Sequence, residues 1–192
     1  MTKTDARATA RARRKMAFDS DRRLGGPAVE AATDLLLAHL NSAPPGPVSG
    51  YMPIQSELDP RPAMTALHWA GRDICVPVVQ SKGLPLRFHR WTPETEMVDG
   101  PYGAQVPASE DLLAPQVLIL PLLAFDGRGT RLGYGGGFYD RTLAELRSLD
   151  PETYAIGFAF AAQEAARLPA EPTDARLDAL VTEAETLLWP RA

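Results

Sequence analysis

The residues with the most obvious chemical capacity lie in one stretch, "DGRGTRLGYGGGFYDR", residues 126–141, where Gly133, Gly135, Gly136 and Gly137 run into Phe138, Tyr139 and the pair Asp140 and Arg141. Glycine loses more conformational freedom on folding than any other residue, so a cluster of them implies backbone at φ > 0 or backbone that something approaches closely. The segment reads as a cradle. It follows an apolar run and opens a predicted helix, whose unpaired N–H groups and positive dipole end attract anions such as phosphate. Asp140 falls in the first turn of that helix, where an acid is stabilised by the dipole by about 0.3–1 kcal/mol even without a ligand.

Two familiar nucleotide loops can be tested against it. A dinucleotide fingerprint begun at Gly133 meets Phe138 where its third glycine belongs, and one begun at Gly135 meets Asp140 there. A P-loop needs Lys and Ser/Thr after the last glycine, and Gly137 is followed by Phe138 and Tyr139. Neither motif is present. His39, His68 and His89 have no metal-ligand spacing, and no Ser-His-acid arrangement suggests a hydrolase. Cys75, the single cysteine, sits in the apolar run "DICVPVV" and reads as a buried small hydrophobe in a reducing compartment.

The elements that must position this loop follow from periodicity. Residues 3–23, rich in Ala and Arg, favour helix, and a second helix over 27–40 brings Val29, Ala32, Leu36 and Leu40 onto one face. "VSGYM" predicts a short strand. The stretch "DPRPAMTALHWAG" predicts a helix with Asp59 at its N-cap, Pro60 at the first helical position and Gly71 past its end. Further strands are predicted at "ICVPVV", around Leu84, Leu86 and Phe88, along "QVLILPLLAF" as one buried run, at "TYAIGFAF", and at "LDALVTE"; a helix is predicted over 137–149. Strands alternating with helices predict an α/β fold, a three-layer α/β/α arrangement with a mainly parallel sheet and helices on both faces. Open parallel sheets bind ligands beyond the carboxyl ends of their strands, where the glycine segment lies.

A chain of 192 residues suits one domain spanning residues 1–192. Residues 1–23 carry eight Lys/Arg against three Asp, a balance of +5 that leaves −9 for the remainder of a chain of net charge −4. The basic helix has no apolar core behind its charges, so no secretory signal is expected, and Asp5, Asp19 and Asp21 argue against a transit peptide. Phe18 is the one aromatic residue among its cations and the body is acidic, so no nucleic-acid partner is expected. No run is long and apolar enough for a membrane span. The expectation is a cytoplasmic monomer.

Position by position, the glycine segment resembles the signature of the 5-formyltetrahydrofolate cyclo-ligase family: Pro121, "AFD" at 124–126, "GTRLGYGGG" at 129–137, Phe138, Tyr139 and Asp140. The likeness extends along the chain. "KTDAR" is similar to the family's N-terminal Lys-x-x-x-Arg, Lys3 and Arg7 here, followed by the basic "RRK" at 13–15. "YMPIQSELDP" resembles the first-strand segment whose glutamate, Glu57, contacts folate. "EPTDARLDALVTE" resembles a segment that supplies an acid, with Thr173 in place of the usual histidine and Asp174 retained. Phe138 stands where tyrosine is commoner.

The resemblance implies a ligase that joins ATP hydrolysis to closure of 5-formyltetrahydrofolate, with or without a polyglutamate tail, into 5,10-methenyltetrahydrofolate. It assigns ATP binding to Lys3, Arg7, Arg131, Gly133, Gly135, Gly136, Gly137 and Tyr139, with residues 1–23 forming a helix that contributes to the ATP site. Catalysis falls to Arg131 and Tyr139, and Mg2+ binding to Asp140 and Asp174. Substrate binding falls to Met52, Glu57, Tyr134, Gly135, Gly136, Gly137 and Phe138. Two other readings stay open from sequence: a relative that binds folate or nucleotide without catalysis, and a phosphosugar isomerase or transferase on a similar fold.

Overall fold

The computed structural model describes residues 2–190. In chain order the elements are α1 (Lys3–Arg23), α2 (Pro27–Leu40), β1 (Val48–Ser49), α3 (Arg61–Trp69), β2 (Ile74–Val78), β3 (Arg87–Arg90), β4 (Met97–Asp99), β5 (Gln105–Pro107), β6 (Val117–Leu120), β7 (Ala124–Phe125), β8 (Arg131–Leu132), α4 (Phe138–Leu149), β9 (Tyr154–Phe158), β10 (Ala179–Val181) and β11 (Thr186–Leu188). The main sheet runs β11-β10-β9-β6-β1-β2-β3. Its interior pairs are parallel, and the two edge strands, β3 and β11, are antiparallel to their neighbours.

Strand alternation divides the core between the two faces. Val117 and Ile119 of β6 join the cluster that packs on Ala32, Leu36 and Leu40 of α2 and Ala63, Met64 and Leu67 of α3. Leu118 and Leu120 face the other way, onto Leu143 of α4. Helices therefore cover both faces of a mainly parallel sheet, as the sequence predicts. The α1 helix packs differently. Ala6 and Ala10 meet Leu123, Ala124, Leu132 and Leu168 in a separate small cluster, which places α1 against the glycine segment.

Three local expectations are corrected. The apolar run at 116–125 is not one strand: β6 ends at Leu120, before Pro121, and the chain leaves the sheet to form a hairpin between β7 and β8. Proline has no N–H to continue a ladder. The strand expected around Leu84 begins instead at Arg87, leaving Leu84 exposed. In α3 the N-cap is Pro60, while Asp59 Oδ1 accepts from the Arg61 N–H at 2.9 Å. The β4–β5 hairpin had no counterpart in the sequence reading.

The turn between β7 and β8 is closed by Asp126, which is fully buried. Its Oδ1 accepts from the N–H groups of Arg128 at 3.0 Å and Thr130 at 3.2 Å, and its Oδ2 from Leu168 N–H at 3.0 Å and from the Arg128 guanidinium at 2.7 Å. Burial pushes this carboxyl's pKa up, but the guanidinium and three N–H groups outweigh it and hold it below the usual value. Such a group contributes stability above its unfolded pKa that is lost as pH falls through the folded one. Asp126→Asn is expected to lower stability by about 1–3 kcal/mol at neutral pH, since it keeps the shape and loses the charge. In urea unfolding the gap between the two proteins should close as pH falls from about 5 to about 2; a gap that stays constant would show that the charge is not what closes the turn.

Candidate active site

The glycine segment forms the floor of a cleft of about 1310 Å³. Gly135 has φ +99° and Gly137, the N-cap of α4, has φ +64°, conformations that strain any residue with a Cβ. At Gly135 a Cβ would also come within 3.1 Å of the Arg7 guanidinium, which would have to give by a few tenths of an ångström. Arg7 Nε donates to Gly133 O at 3.0 Å, and Arg141 Nη2 donates to Gly136 O at 2.8 Å.

One end of the cleft is cationic. Lys3 Nζ donates to Asp174 Oδ2 at 2.9 Å and Oδ1 at 3.1 Å and lies 3.2 Å from Glu171. Burial opposes the ammonium, but the two carboxylates outweigh it and raise its pKa. Arg131, on β8, donates from Nη2 to Asp140 Oδ1 at 2.7 Å, and the same oxygen accepts from Ala175 N–H at 3.1 Å. Asp140 thereby ties the α4 N-terminus to the segment that carries Asp174. Burial lowers the Arg131 pKa, with Asp140 opposing it, and a guanidinium stays charged at neutral pH regardless. The Nε atoms of Arg131 and Arg141 are buried and have no partner among the described residues. Donors left open beside a glycine loop suit an anion with several oxygens.

The other end is apolar and aromatic around one acid. Glu57 is 4% exposed. Its Oε2 accepts from Ile54 N–H at 2.8 Å and its Oε1 from the Tyr134 hydroxyl at 3.0 Å. Burial raises the Glu57 pKa, against Ile54 N–H, Arg14 and Tyr134, which lower it. Tyr134 is pushed up to about 12, first by burial and then by Glu57. Tyr139 is raised further by the same causes, so it is a phenol at any working pH and can donate a hydrogen bond without serving as a base. Met52 and Phe138 complete the wall.

Every residue assigned from the sequence lines this one cleft: Lys3, Arg7, Met52, Glu57, Arg131, Gly133, Tyr134, Gly135, Gly136, Gly137, Phe138, Tyr139, Asp140 and Asp174. Three residues were missed. Tyr102, between β4 and β5, reaches the cleft and sets its ring 5.8 Å from Phe138 in an edge-to-face arrangement. Arg141 was noted only as the end of the glycine segment. Arg14 was seen only as part of a basic run, although Ala6, Ala10 and Arg14 fall at four-residue intervals on the buried side of α1.

The sequence pattern of the 5-formyltetrahydrofolate cyclo-ligase family matches residues 2–183. The chain belongs to that family. It is 36% identical over 149 residues to the 5-formyltetrahydrofolate cyclo-ligase of Escherichia coli K12, an alignment covering 74% of this chain and 80% of the relative. The Haemophilus influenzae enzyme of the same name is 32% identical over 136 residues, covering 66% and 70%. Among solved structures, the 5,10-methenyltetrahydrofolate synthetase of Aquifex aeolicus superposes with a TM-score of 0.76 at 25% identity, over 100% of this chain and 96% of that one. The Mycoplasma pneumoniae synthetase, at 20% identity, shares the fold with a TM-score of 0.74. Family membership displaces the phosphosugar reading.

Gly135→Ala tests the cradle. It should cost about 1–2 kcal/mol of stability for the left-handed backbone, measured by urea unfolding, and should weaken calorimetric binding of a nucleoside triphosphate by displacing Arg7. Unchanged triphosphate affinity would mean that the close approach of Arg7 to Gly135 has no part in anion binding.

Proposed function

We propose that this chain catalyses ATP-dependent cyclisation of 5-formyltetrahydrofolate to 5,10-methenyltetrahydrofolate, releasing ADP and phosphate. The observation that carries the reading is a single cleft in which a glycine loop ringed by Lys3, Arg7 and Arg131 adjoins an aromatic slot holding the buried carboxylate of Glu57. An anionic chain and a flat, hydrogen-bonding ring system fit side by side there.

The chemistry explains why both are needed. Ring closure requires N10 of the folate to attack the formyl carbon and the formyl oxygen to leave, and an amide oxygen leaves poorly. That oxygen attacks the γ-phosphorus and displaces ADP. N10 then adds to the activated carbon, its proton departs, and the C–O bond breaks with release of phosphate. Phosphoryl transfer depends on positioning and charge neutralisation more than on a protein nucleophile. In this reading Lys3, Arg7 and the N–H groups of residues 133–137 hold the phosphates, Arg131 faces the charge that grows on the transferred group, and Tyr139 donates a hydrogen bond as a phenol. Glu57 accepts from N–H groups of the pterin, with Met52, Tyr134, Phe138 and Tyr102 around it.

The donor set also fits magnesium. Asp140 Oδ2 has no hydrogen-bond partner among the described residues, whereas both oxygens of Asp174 are engaged by Lys3, Oδ2 also accepting from Glu171 N–H. Asp140 and Asp174 would hold the ion with water and phosphate oxygens completing its shell, as is usual for this cation, and it would neutralise phosphate charge. The reading takes residues 1–192 as one domain, with α1 part of the ATP site, acting as a cytoplasmic monomer. No helix among the described residues is long and apolar enough to cross a membrane.

Mixing the purified protein with 5-formyltetrahydrofolate, ATP and magnesium should produce the near-ultraviolet absorbance of the methenyl product. No ATP-dependent signal would sink the proposal. Asp140→Asn, which can still accept from Ala175 N–H, should lower turnover by about 10- to 100-fold while unfolding stays cooperative; near-normal turnover would remove Asp140 from the metal site.

A further inference from the structure

Arg14 heads the fully buried side chains by volume and is 1% exposed, an unusual place for a cation. It lies on the same buried stripe of α1 as Ala6 and Ala10. Its Nε donates to Ser56 Oγ at 3.2 Å, its Nη1 to Leu122 O at 3.5 Å, and its Nη2 to the Tyr134 hydroxyl at 2.6 Å. Nη1 is 3.6 Å from Glu57 Oε1, the oxygen to which Tyr134 also donates. The guanidinium stands over the Tyr134 ring, 5.3 Å from its centroid. Replacing a buried ion pair by apolar groups often leaves stability unchanged or improved, so stability is a weak reason for this one.

We infer that Arg14 is a positioning residue for the substrate: it holds the Glu57 carboxylate as an anion in the cleft and, through Tyr134, fixes that anion to the glycine loop. The inference rests on the reading of Glu57 as a folate-binding residue. The α1 helix then serves both halves of the site, Lys3 and Arg7 at the phosphate end and Arg14 at the pterin end.

The groups facing Glu57 are Arg14 from α1, Tyr134 from the glycine loop, Tyr139 from α4, Tyr51 beyond β1, and the Ile54 N–H on its own loop. The three phenols keep their protons at neutral pH, because burial and Glu57 raise the pKa of each. Arg14 is thus the one full positive charge against this acid among the facing groups. Without it, a carboxyl already raised by burial moves up further, which weakens the anionic acceptor that the substrate's N–H groups need.

The test is a double-mutant cycle between Arg14→Met and Glu57→Gln, read as KM for 5-formyltetrahydrofolate, KM for ATP, kcat, and calorimetric folate binding without ATP, each from about pH 6 to 9. Arg14→Met should raise the folate KM and Kd by about 10- to 100-fold, with ATP KM and kcat changing far less. The defect should be larger at the acid end of that range than at the alkaline end, by more than any trend in the parent, and Arg14→Lys should recover part of it. In the Glu57→Gln background the same substitution should cost little. A folded Arg14→Met protein with parental folate affinity and pH profile, or with equal losses in both backgrounds, overturns the inference. Should Arg14→Met not fold, Arg14→Lys in the same cycle decides: a loss that Glu57→Gln does not diminish overturns it. If the parent neither binds nor converts the folate, the proposed function fails and this inference with it; a parent that binds folate while Arg14 variants bind equally well removes the inference alone.

Discussion

Pro121 has no amide hydrogen to continue the ladder, and β6 ends at the residue before it. The carbonyls of Leu122 and Leu123 then lie buried outside the sheet and require donors. The Gln163 amide, 2% exposed, donates to both, at 2.8 and 3.2 Å, and Arg14 reaches Leu122 as well. An unpaired carbonyl at such a place would cost about 1–3 kcal/mol, so the break persists only because these donors meet it. Everything at the site follows from that departure. It lifts β7 and β8 off the sheet, puts Arg131 at the cleft and Gly133–Gly137 over the strand ends, and gives α1 a surface to rest on.

Charge in the cleft is balanced within the protein before any ligand is considered. Lys3 is held by Asp174 and Glu171, and Arg131 by Asp140. The pairs of Lys3 are partly exposed and contribute little to stability individually, whereas Arg131 is buried and Asp140 meets its charge. Their value is positional, because each long cation is kept near the loop in a limited set of geometries. In the proposed reading, an incoming phosphate would compete with Asp174 for Lys3, which would free the Asp174 carboxylate to help hold a cation. On that reading, pairing acid with base in the free protein would keep the cation and the carboxylate close to where a metal-bound phosphate needs each of them.

The glycine segment was legible in the sequence because its composition has no use in an ordinary turn, and the two failed nucleotide motifs narrowed it further. Local alternation of apolar residues gave the layers, since β6 could be seen to be buried on both faces. Strand order could not be read, because contacts such as β1 with β6 are long-range pairings that leave no local signature. Tyr102 escaped notice because it sits at a left-handed position, φ +61°, in a short hairpin whose strands lack a strong period. Arg14 was obscured by its neighbours: beside Arg11, Arg13 and Lys15 it looks like one more solvated charge. Only the four-residue spacing from Ala6 and Ala10 separates it from them, and that spacing gains meaning once the alanines are known to be buried.

A P-loop carries its lysine within the loop, so its phosphate site forms wherever the loop folds. Here the loop contributes backbone, while Lys3 and Arg7 arrive from a helix; the Arg7 to Gly133 contact spans 126 residues of sequence. The α1 helix is attached at this end by two buried alanines and a set of polar contacts, whereas α2 and α3 each put three or more buried residues on the main core. Such an element opens more readily than the sheet it rests on. A ligand that bridges Lys3 and Arg7 to the glycine loop binds the docked arrangement alone, so by mass action it stabilises the docking of α1 as well. Arg14 rides on the same helix, so the element that brings Lys3 and Arg7 to the glycine loop also seats the guanidinium against Glu57.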